Sequence, residues 1–154
     1  MPKQSAGILL YRFKEEELQV FLIHMGGPFW AKKDQGAWSI PKGEFTQDET
    51  AFDAAKREFE EETGFKMDGN FIPLTPVRQS AGKMIYCWAL EGNCDAGAIH
   101  SNMFELEWPP HSGQKKQFPE ADRAAWFSIQ RANEKISKGQ QPLLEELASF
   151  RKIL

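Results

Sequence analysis

Between Arg57 and Glu62 the chain reads Arg-Glu-Phe-Glu-Glu-Glu, four carboxylates within five positions. The residues leading into this run recur at helical spacing, with Ala51, Phe52, Ala55 and Phe59 on an apolar face and Asp53, Lys56 and Glu60 on a polar one. At about 100° per residue, Glu58, Glu61 and Glu62 fall within one arc of about 100°, and Glu60 points away. Like charges at these spacings repel by roughly 0.2–0.5 kcal/mol per pair, and anions near a helix C-terminus oppose its dipole. A helix selected for stability alone would carry Lys or Arg there. The repulsion calls for a compensating positive charge. Oxygen donors without His or Cys partners suit a hard divalent cation, Mg²⁺ first and Mn²⁺ as its substitute.

The ends of the helix are also readable. Thr46 with Glu49 predicts a capping box, and Gly64 followed by Phe65 predicts a C-terminal cap with a hydrophobic contact. The helix is therefore expected from about Gln47 to Thr63. Ahead of it, Ile40-Pro41-Lys42-Gly43 reads as a loop in which Gly43 lets the backbone approach the carboxylates.

Gly43, Glu49, Arg57, Glu58, Phe59, Glu61, Glu62, Gly64 and Phe65 match the Nudix box, G-x5-E-x7-R-E-U-x-E-E-x-G-U with U apolar, at every fixed position. At average residue frequencies a chance match is rarer than about one in ten million. The chain thus resembles the Nudix hydrolases, and its strand pattern is similar to theirs on both sides of the box. The resemblance implies an α/β fold, specifically an α/β/α sandwich with a mixed β-sheet, formed by residues 1–154 as a single domain. It implies that Glu58, Glu61 and Glu62 bind the metal with help from the Gly43 carbonyl, and that Arg57 pairs with Glu49 to orient the carboxylates. It also implies that Lys42 contacts a phosphate and that a further catalytic or metal-binding carboxylate lies outside the box. Glu120, ahead of a late segment bearing Trp126, is expected in that role, with Glu105 and Glu107 as competitors. Catalysis would then rest on Glu58, Glu61, Arg57 and Glu120.

The whole chain agrees with such a protein. Its 154 residues, 41% hydrophobic and 27% charged, suit one domain with an adequate core. A formal net charge of −3 argues against a nucleic-acid polymer as partner but not against a small anionic nucleotide held by a metal and local cations. Cys87 and Cys94 lack metal-ligand spacing, so free thiols in a reducing compartment are expected. With no apolar run in the first 13 residues long enough for a leader or a span, a cytoplasmic protein with no membrane partner is expected. Monomer and homodimer both stay open.

Along the chain, Ala6 to Phe13 and Leu18 to His24 predict a hairpin, and Trp38-Ser39-Ile40 a short strand. Phe71 to Ser80 and Met84 to Glu91 predict a second hairpin turning at Ala81-Gly82-Lys83. Ile99 to Trp108 is a weaker strand, and His111 to Pro119 reads as a cationic loop. Helices are expected at Ile129 to Ser137 and at Leu143 to Leu154, the last burying Leu144, Leu147, Phe150 and Ile153 or Leu154. In the long Gly26 to Gly36 loop, Lys32 and Lys33 are candidate phosphate contacts, and Phe29 and Trp30 candidates for stacking or packing. Arg78 and Lys83 are further candidate substrate cations.

The chemistry that fits is attack of water on phosphorus within a diphosphate linkage, with a carboxylate taking the proton. No G-x-S-x-G elbow suggests a covalent nucleophile. The Trp38 to Gly43 approach resembles the diadenosine polyphosphate hydrolase branch, which implies cleavage to ATP and AMP. MutT-like hydrolysis of oxidised nucleoside triphosphates such as 8-oxo-dGTP is the alternative, with nucleoside diphosphate sugars third. A nucleotide-binding sensor without turnover is the alternative from another class, and the intact box weighs against it. The helical arc makes a direct prediction. Glu62→Gln should weaken Mg²⁺ binding and cut turnover by orders of magnitude, whereas Glu60→Gln, on the opposite face, should be nearly silent. Equal activities of the two variants in a Mg²⁺-dependent hydrolysis assay would remove the metal face from this helix.

Overall fold

The structure is a computed structural model that describes residues 4–79 and 82–152. In chain order it contains β1 (Gln4–Lys14), β2 (Glu17–Met25), β3 (Trp38–Ser39), β4 (Lys42–Phe45) and α1 (Ala51–Thr63). There follow β5 (Ile72–Pro73), β6 (Val77–Arg78), β7 (Met84–Glu91), β8 (Met103–Glu107) and β9 (Lys115–Pro119). The chain then forms β10 (Ala121–Ser128), α2 (Ile129–Lys135) and α3 (Gln141–Lys152).

Strand β1 is apolar from Ala6 to Tyr11 without a polar alternation, as a strand covered on both faces requires. It runs parallel to β7 from Gln4↔Met84 to Tyr11↔Glu91. Its other edge is shared. Near the turn it pairs antiparallel with β2, from Tyr11↔Val20 to Lys14↔Glu17. Beyond that point the two strands part, and the β3–β4 segment enters the gap. β3 pairs with β2 at Ile23↔Ser39 and His24↔Trp38, while β4 pairs with β1 at Gly7↔Lys42 and Ala6↔Gly43. Gly7 is needed here, since a Cβ on it would lie 2.4 Å from the Pro41 carbonyl oxygen. β10 completes the sheet beside β2, and β5 and β6 lie beside β7. β8 and β9 form a separate two-stranded ribbon.

Side chains leave the strands alternately to two faces, and each face has its own core. Leu9, Tyr11, Val20 and Leu22 pack with Ala132, Ile136, Leu143, Leu144 and Leu147 from the α2–α3 side. Ala6, Ile8, Leu10, Phe21 and Ile23 pack with Ala54, Ala55 and Phe59 of α1. The result is the expected α/β/α sandwich around a mixed sheet.

Three local expectations are corrected. Helix α1 starts at Ala51, not near Gln47, because Thr50 is its N-cap and accepts a hydrogen bond from the Asp53 amide at 3.1 Å. Thr46 instead closes a turn of its own by accepting from the Asp48 amide at 3.3 Å. The C-terminal expectation agrees: Gly64 has φ 81° and its amide donates to the Glu60 carbonyl at 2.8 Å. Lys42 and Gly43, expected in a loop, lie in β4, whose pairing is by backbone and leaves no apolar pattern to read. Likewise Lys115 to Pro119 is strand β9 rather than loop, with its cations on a ribbon that needs no buried face. The expected turn residue Ala81, with Ser80, and the expected apolar anchors Ile153 and Leu154 lie outside the described residues.

The corrected cap is directly testable. Thr50→Ala should destabilise the protein by about 1 kcal/mol, and Thr46→Ala by clearly less, in urea denaturation.

Candidate active site

The site is built where α1 crosses the gap between β1 and β2. Glu58 and Glu62, one turn apart on the inward face of α1, are buried at 7% and 6% exposure. Each offers a carboxylate oxygen to a cluster completed by Glu120, the three oxygens lying within 4.8 Å of one another. The chain closes on this cluster from the β4 side. A Cβ on Gly43 would fall 2.0 Å from Glu58 Oε2, so only glycine lets β4 pass here. The Lys42 amide donates to Glu62 Oε1 at 3.3 Å.

Arg57 braces the cluster from outside. Its Nε and Nη2 donate to Glu49 at 3.1 and 2.5 Å, a bidentate pair, and its Nη1 donates to Glu58 Oε1 at 2.8 Å and Glu61 Oε2 at 2.7 Å. These contacts, with that to Glu49 foremost, raise the guanidinium pKa further above its ordinary value. Glu61 is thus held on the flank of Glu58 rather than inside the 4.8 Å cluster.

Electrostatically the cluster is under strain. Burial, then Glu120 and Glu58, push the Glu62 carboxyl well above the usual carboxylate range. Glu58 is raised by burial against the pull of Arg57, and Glu120 by burial and by Glu61. Lys42 is pushed the other way, downward, by its own burial and by Lys83 nearby. Carboxylates so crowded and desolvated fit a hard divalent cation, which would restore their charged forms.

Glu120 owes its place to the chain on both sides of it. Its amide donates to the Asn102 carbonyl and its carbonyl accepts from the Gly26 amide, both at 2.9 Å. A Cβ on Gly26 would sit 1.8 Å from the Pro119 carbonyl oxygen, so this close approach also demands glycine. Glu105 and Glu107 are elsewhere, exposed on β8, where Glu105 lies 3.7 Å from Lys115 and Glu107 accepts from the His111 amide at 3.0 Å.

Beside the carboxylates opens a cavity of about 380 Å³ lined by Trp30, Phe104, Met25, Lys42, Glu62 and Glu120, among others. Lys42, Glu62 and Glu120, linked to one another, make up a charged wall, and Trp30 and Phe104, which both meet Gly27, a flat apolar one. Of the candidate cations, Lys42 lines this cavity, and Lys32, Lys33, Arg78 and Lys83 do not. Lys83 pairs with Glu44 at 2.7 Å beside Gly43, Lys33 lies 3.7 Å over the Phe29 ring, and Lys32 and Arg78 are exposed.

Two contributors were not legible in the sequence. Phe104 was hidden in a weakly patterned strand. Gln140, almost fully buried, accepts from the Ile40 amide at 3.0 Å and donates to Ser39 Oγ at 3.0 Å, anchoring the approach to Gly43 from a helical turn 100 residues away. No local signal marks such a contact.

The strained cluster has a signature in stability. With folded pKa values above the unfolded ones, the metal-free native state binds more protons than the unfolded chain. The stability contribution of these carboxylates therefore falls as pH rises from about 4 through their raised folded values. Glu62→Gln should raise Tm in EDTA-treated protein, by an amount that grows with pH over this window. Saturating Mg²⁺ should reverse the order of the two melting temperatures. A pH-independent difference in thermal melts would show that the cluster is not crowded by charge.

A model of the NUDIX domain matches residues 1–147. The fold is similar to that of a C. elegans Ap4A hydrolase in a binary complex, with a TM-score of 0.71, 19% identity, and 99% of each chain covered. It is similar to a mutT/nudix family protein from Listeria innocua, with a TM-score of 0.66, 19% identity, and 99% and 96% of the two chains covered. The NUDIX domain of Shewanella oneidensis NrtR, complexed with ADP ribose, gives a TM-score of 0.66 at 16% identity, with 98% and 88% covered. At these identities the structural likeness speaks for the fold alone. No curated protein matches the sequence. With the family model spanning nearly the whole chain and the box folded into a carboxylate cluster beneath a cavity, the chain belongs to the NUDIX domain family and is a hydrolase of that family.

Proposed function

We propose that the chain cleaves a diphosphate linkage in a nucleoside polyphosphate by attack of water on phosphorus, with Mg²⁺ as its metal and Mn²⁺ as a substitute. The observation that carries this reading is the two-sided cavity, with Lys42, Glu62 and Glu120 on one wall and Trp30 and Phe104 on the other. A nucleotide has the same two sides, a charged phosphate chain and a flat base. Glu58, Glu62 and the Gly43 carbonyl would hold the metal, with Glu61 reaching it from the flank of Glu58, and the metal when bound neutralises phosphate charge. Arg57, tied to Glu49, keeps Glu58 and Glu61 in position.

Glu120 is the residue proposed to take the proton of the attacking water. It lines the cavity beside the buried carboxylates, and burial and Glu61 raise its carboxyl above the ordinary carboxylate range, the direction that strengthens a base. As the water oxygen bonds to phosphorus, the bridging P–O bond breaks and the departing phosphate carries away the electron pair. Lys42, which lines the same cavity, is the residue proposed to neutralise a phosphate oxygen. Lys83, Arg78, Lys32 and Lys33 do not line the cavity, and they are proposed as contacts for the outer part of a longer phosphate chain.

The specific substrate proposed is a diadenosine polyphosphate, cleaved asymmetrically to ATP and AMP. The likeness to an Ap4A hydrolase fold and the outlying cations support it, since a tetraphosphate bridge carries more charge than one cavity lysine can balance. Cys87 is buried and Cys94 half-buried, both free, with Cys94 pushed up to about 11 by burial, which suits a cytoplasmic enzyme whose thiols take no part. Among the described residues no helix is long and apolar enough to cross a membrane.

Assays of a nucleotide panel with Mg²⁺ in oxygen-18 water test the reading. Diadenosine tetraphosphate should have the highest kcat/KM, with label in one product only. If 8-oxo-dGTP is at least about tenfold better, the substrate proposal falls and the hydrolase survives. Glu120→Gln should lower kcat by roughly 10²–10⁴ with little change in Mg²⁺ affinity. An equal loss of Mg²⁺ affinity would make it a ligand instead. Trp30→Ala should raise KM with kcat nearly unchanged, as stacking on a base is worth roughly 1–3 kcal/mol.

A further inference from the structure

We propose that His24 is a positioning residue that holds the two walls of the cavity at a fixed separation. The proposal rests on the reading of that cavity as the substrate site. His24 lies near the end of β2 with no exposure to solvent. Ile23 and Met25, its neighbours in the strand, line the cavity, so the His24 ring projects from the opposite face, behind it.

Both ring nitrogens are engaged. Nε2 is 2.7 Å from the Lys33 carbonyl oxygen, and Nδ1 is 2.8 Å from Asp122 Oδ1. A carbonyl only accepts, so Nε2 carries a proton and donates it. The Nδ1 contact then holds one proton, on the ring or on the carboxyl group.

Each partner stands next to a residue of a different wall. Lys33 closes a turn in which its amide donates to the Trp30 carbonyl at 2.9 Å, so a bond to the Lys33 carbonyl fixes the turn that carries Trp30. Asp122 sits where the β10–β2 register shifts between Ala121 and Arg123, two residues after Glu120. An irregularity of this kind redirects side chains beside it, and here it brings Asp122 to His24 while Glu120 joins Glu58 and Glu62. One imidazole thus ties the apolar wall to the catalytic one.

The surroundings argue for this role over simple filling. Phe21, Leu22 and Ile23, which precede His24 in β2, are buried apolar residues, and an apolar side chain would fill the site as well. The ring meets Trp38 edge-on at 5.1 Å, and Trp38 Nε1 donates to Asp34 Oδ1 at 2.9 Å, with Lys135 also paired to Asp34. Arg123 lies 3.7 Å from Asp122 on the strand side. The far end of the loop is therefore braced separately, and His24 controls its middle.

Three variants test the proposal, each checked for folding by circular dichroism and thermal melting. His24→Phe keeps the ring and its contact with Trp38 but deletes both hydrogen bonds. It should raise KM and lower kcat for the nucleotide substrate by about fivefold or more each. Trypsin should cut after the exposed Lys32 or Lys33 about tenfold faster than in the wild type. Asp122→Ala, which frees only the Glu120 side, should lower kcat and leave KM and tryptic protection near wild type. Asp122→Asn, whose amide can donate to a neutral ring, should restore kcat.

The proposal is overturned if folded His24→Phe keeps wild-type kinetic constants and tryptic protection. It is equally overturned if Asp122→Asn is as impaired as Asp122→Ala. Should the wild type turn over no nucleotide, the proposed function fails, and the role of His24 is then decided by the proteolysis alone.

Discussion

Carboxylates repel one another, and much of this molecule serves to keep three of them together in a poorly solvated place. Glu58 and Glu62 come from one helix face and Glu120 from the start of a distant strand, yet their oxygens lie within 4.8 Å. Burial raises the pKa of all three. That arrangement persists because the surrounding frame is rigid enough to impose it. The helix is held against β1 by Ala54, Ala55 and Phe59, β4 passes close over Glu58 at Gly43, and Glu120 is pinned through its backbone to Asn102 and Gly26.

The parting of β1 and β2 makes room for this. Had the two strands stayed paired throughout, β3 and β4 would have no place inside the sheet, and the Gly43 backbone could not meet α1. The gap costs hydrogen bonds between β1 and β2, and β4 along Gln4 to Gly7 and β3 at Ile23 and His24 supply new partners there. Two buried polar side chains then secure the inserted segment and its neighbours. Gln140 holds Ser39 and Ile40 from the α2–α3 side, and His24 holds Lys33 and Asp122. Buried polar groups with complete partners rigidify their surroundings, and in both cases the rigidity is delivered at the edge of the cavity.

The box was legible because its chemistry is local. Glu58, Glu61 and Glu62 follow from helix periodicity, Gly64 from the need for a left-handed cap, and Gly43 from the need for close approach. Yet periodicity alone could not separate Glu61 from its neighbours. All three carboxylates share an arc, and it is Arg57, already committed to Glu49, that draws Glu61 to the flank. The cap was misplaced for a related reason: Thr46 and Thr50 both satisfy cap chemistry, and it is Thr50 that accepts from the Asp53 amide while Thr46 accepts from the Asp48 amide in a turn of its own.

What the sequence determined by itself, then, is everything carried by short-range geometry: the acidic helix face, the hairpins, and the apolar runs that demand a sheet covered on both sides, whereas the Arg57–Glu49 brace was implied by the family resemblance. The resemblance pointed to Glu120 and Lys42, but only tertiary structure brings them to the cluster and the cavity in place of their competitors and supplies the apolar wall. Glu120, Glu105 and Glu107 are chemically identical in the sequence, and Lys42 differs from Lys32 or Lys83 only in place. Their separation depends on Gly26 meeting Glu120, on Gly43 meeting Glu58, and on Phe104 seating against Gly27. Those contacts join residues far apart along the chain, and no periodicity or turn signal records a distance that exists only after the chain has folded.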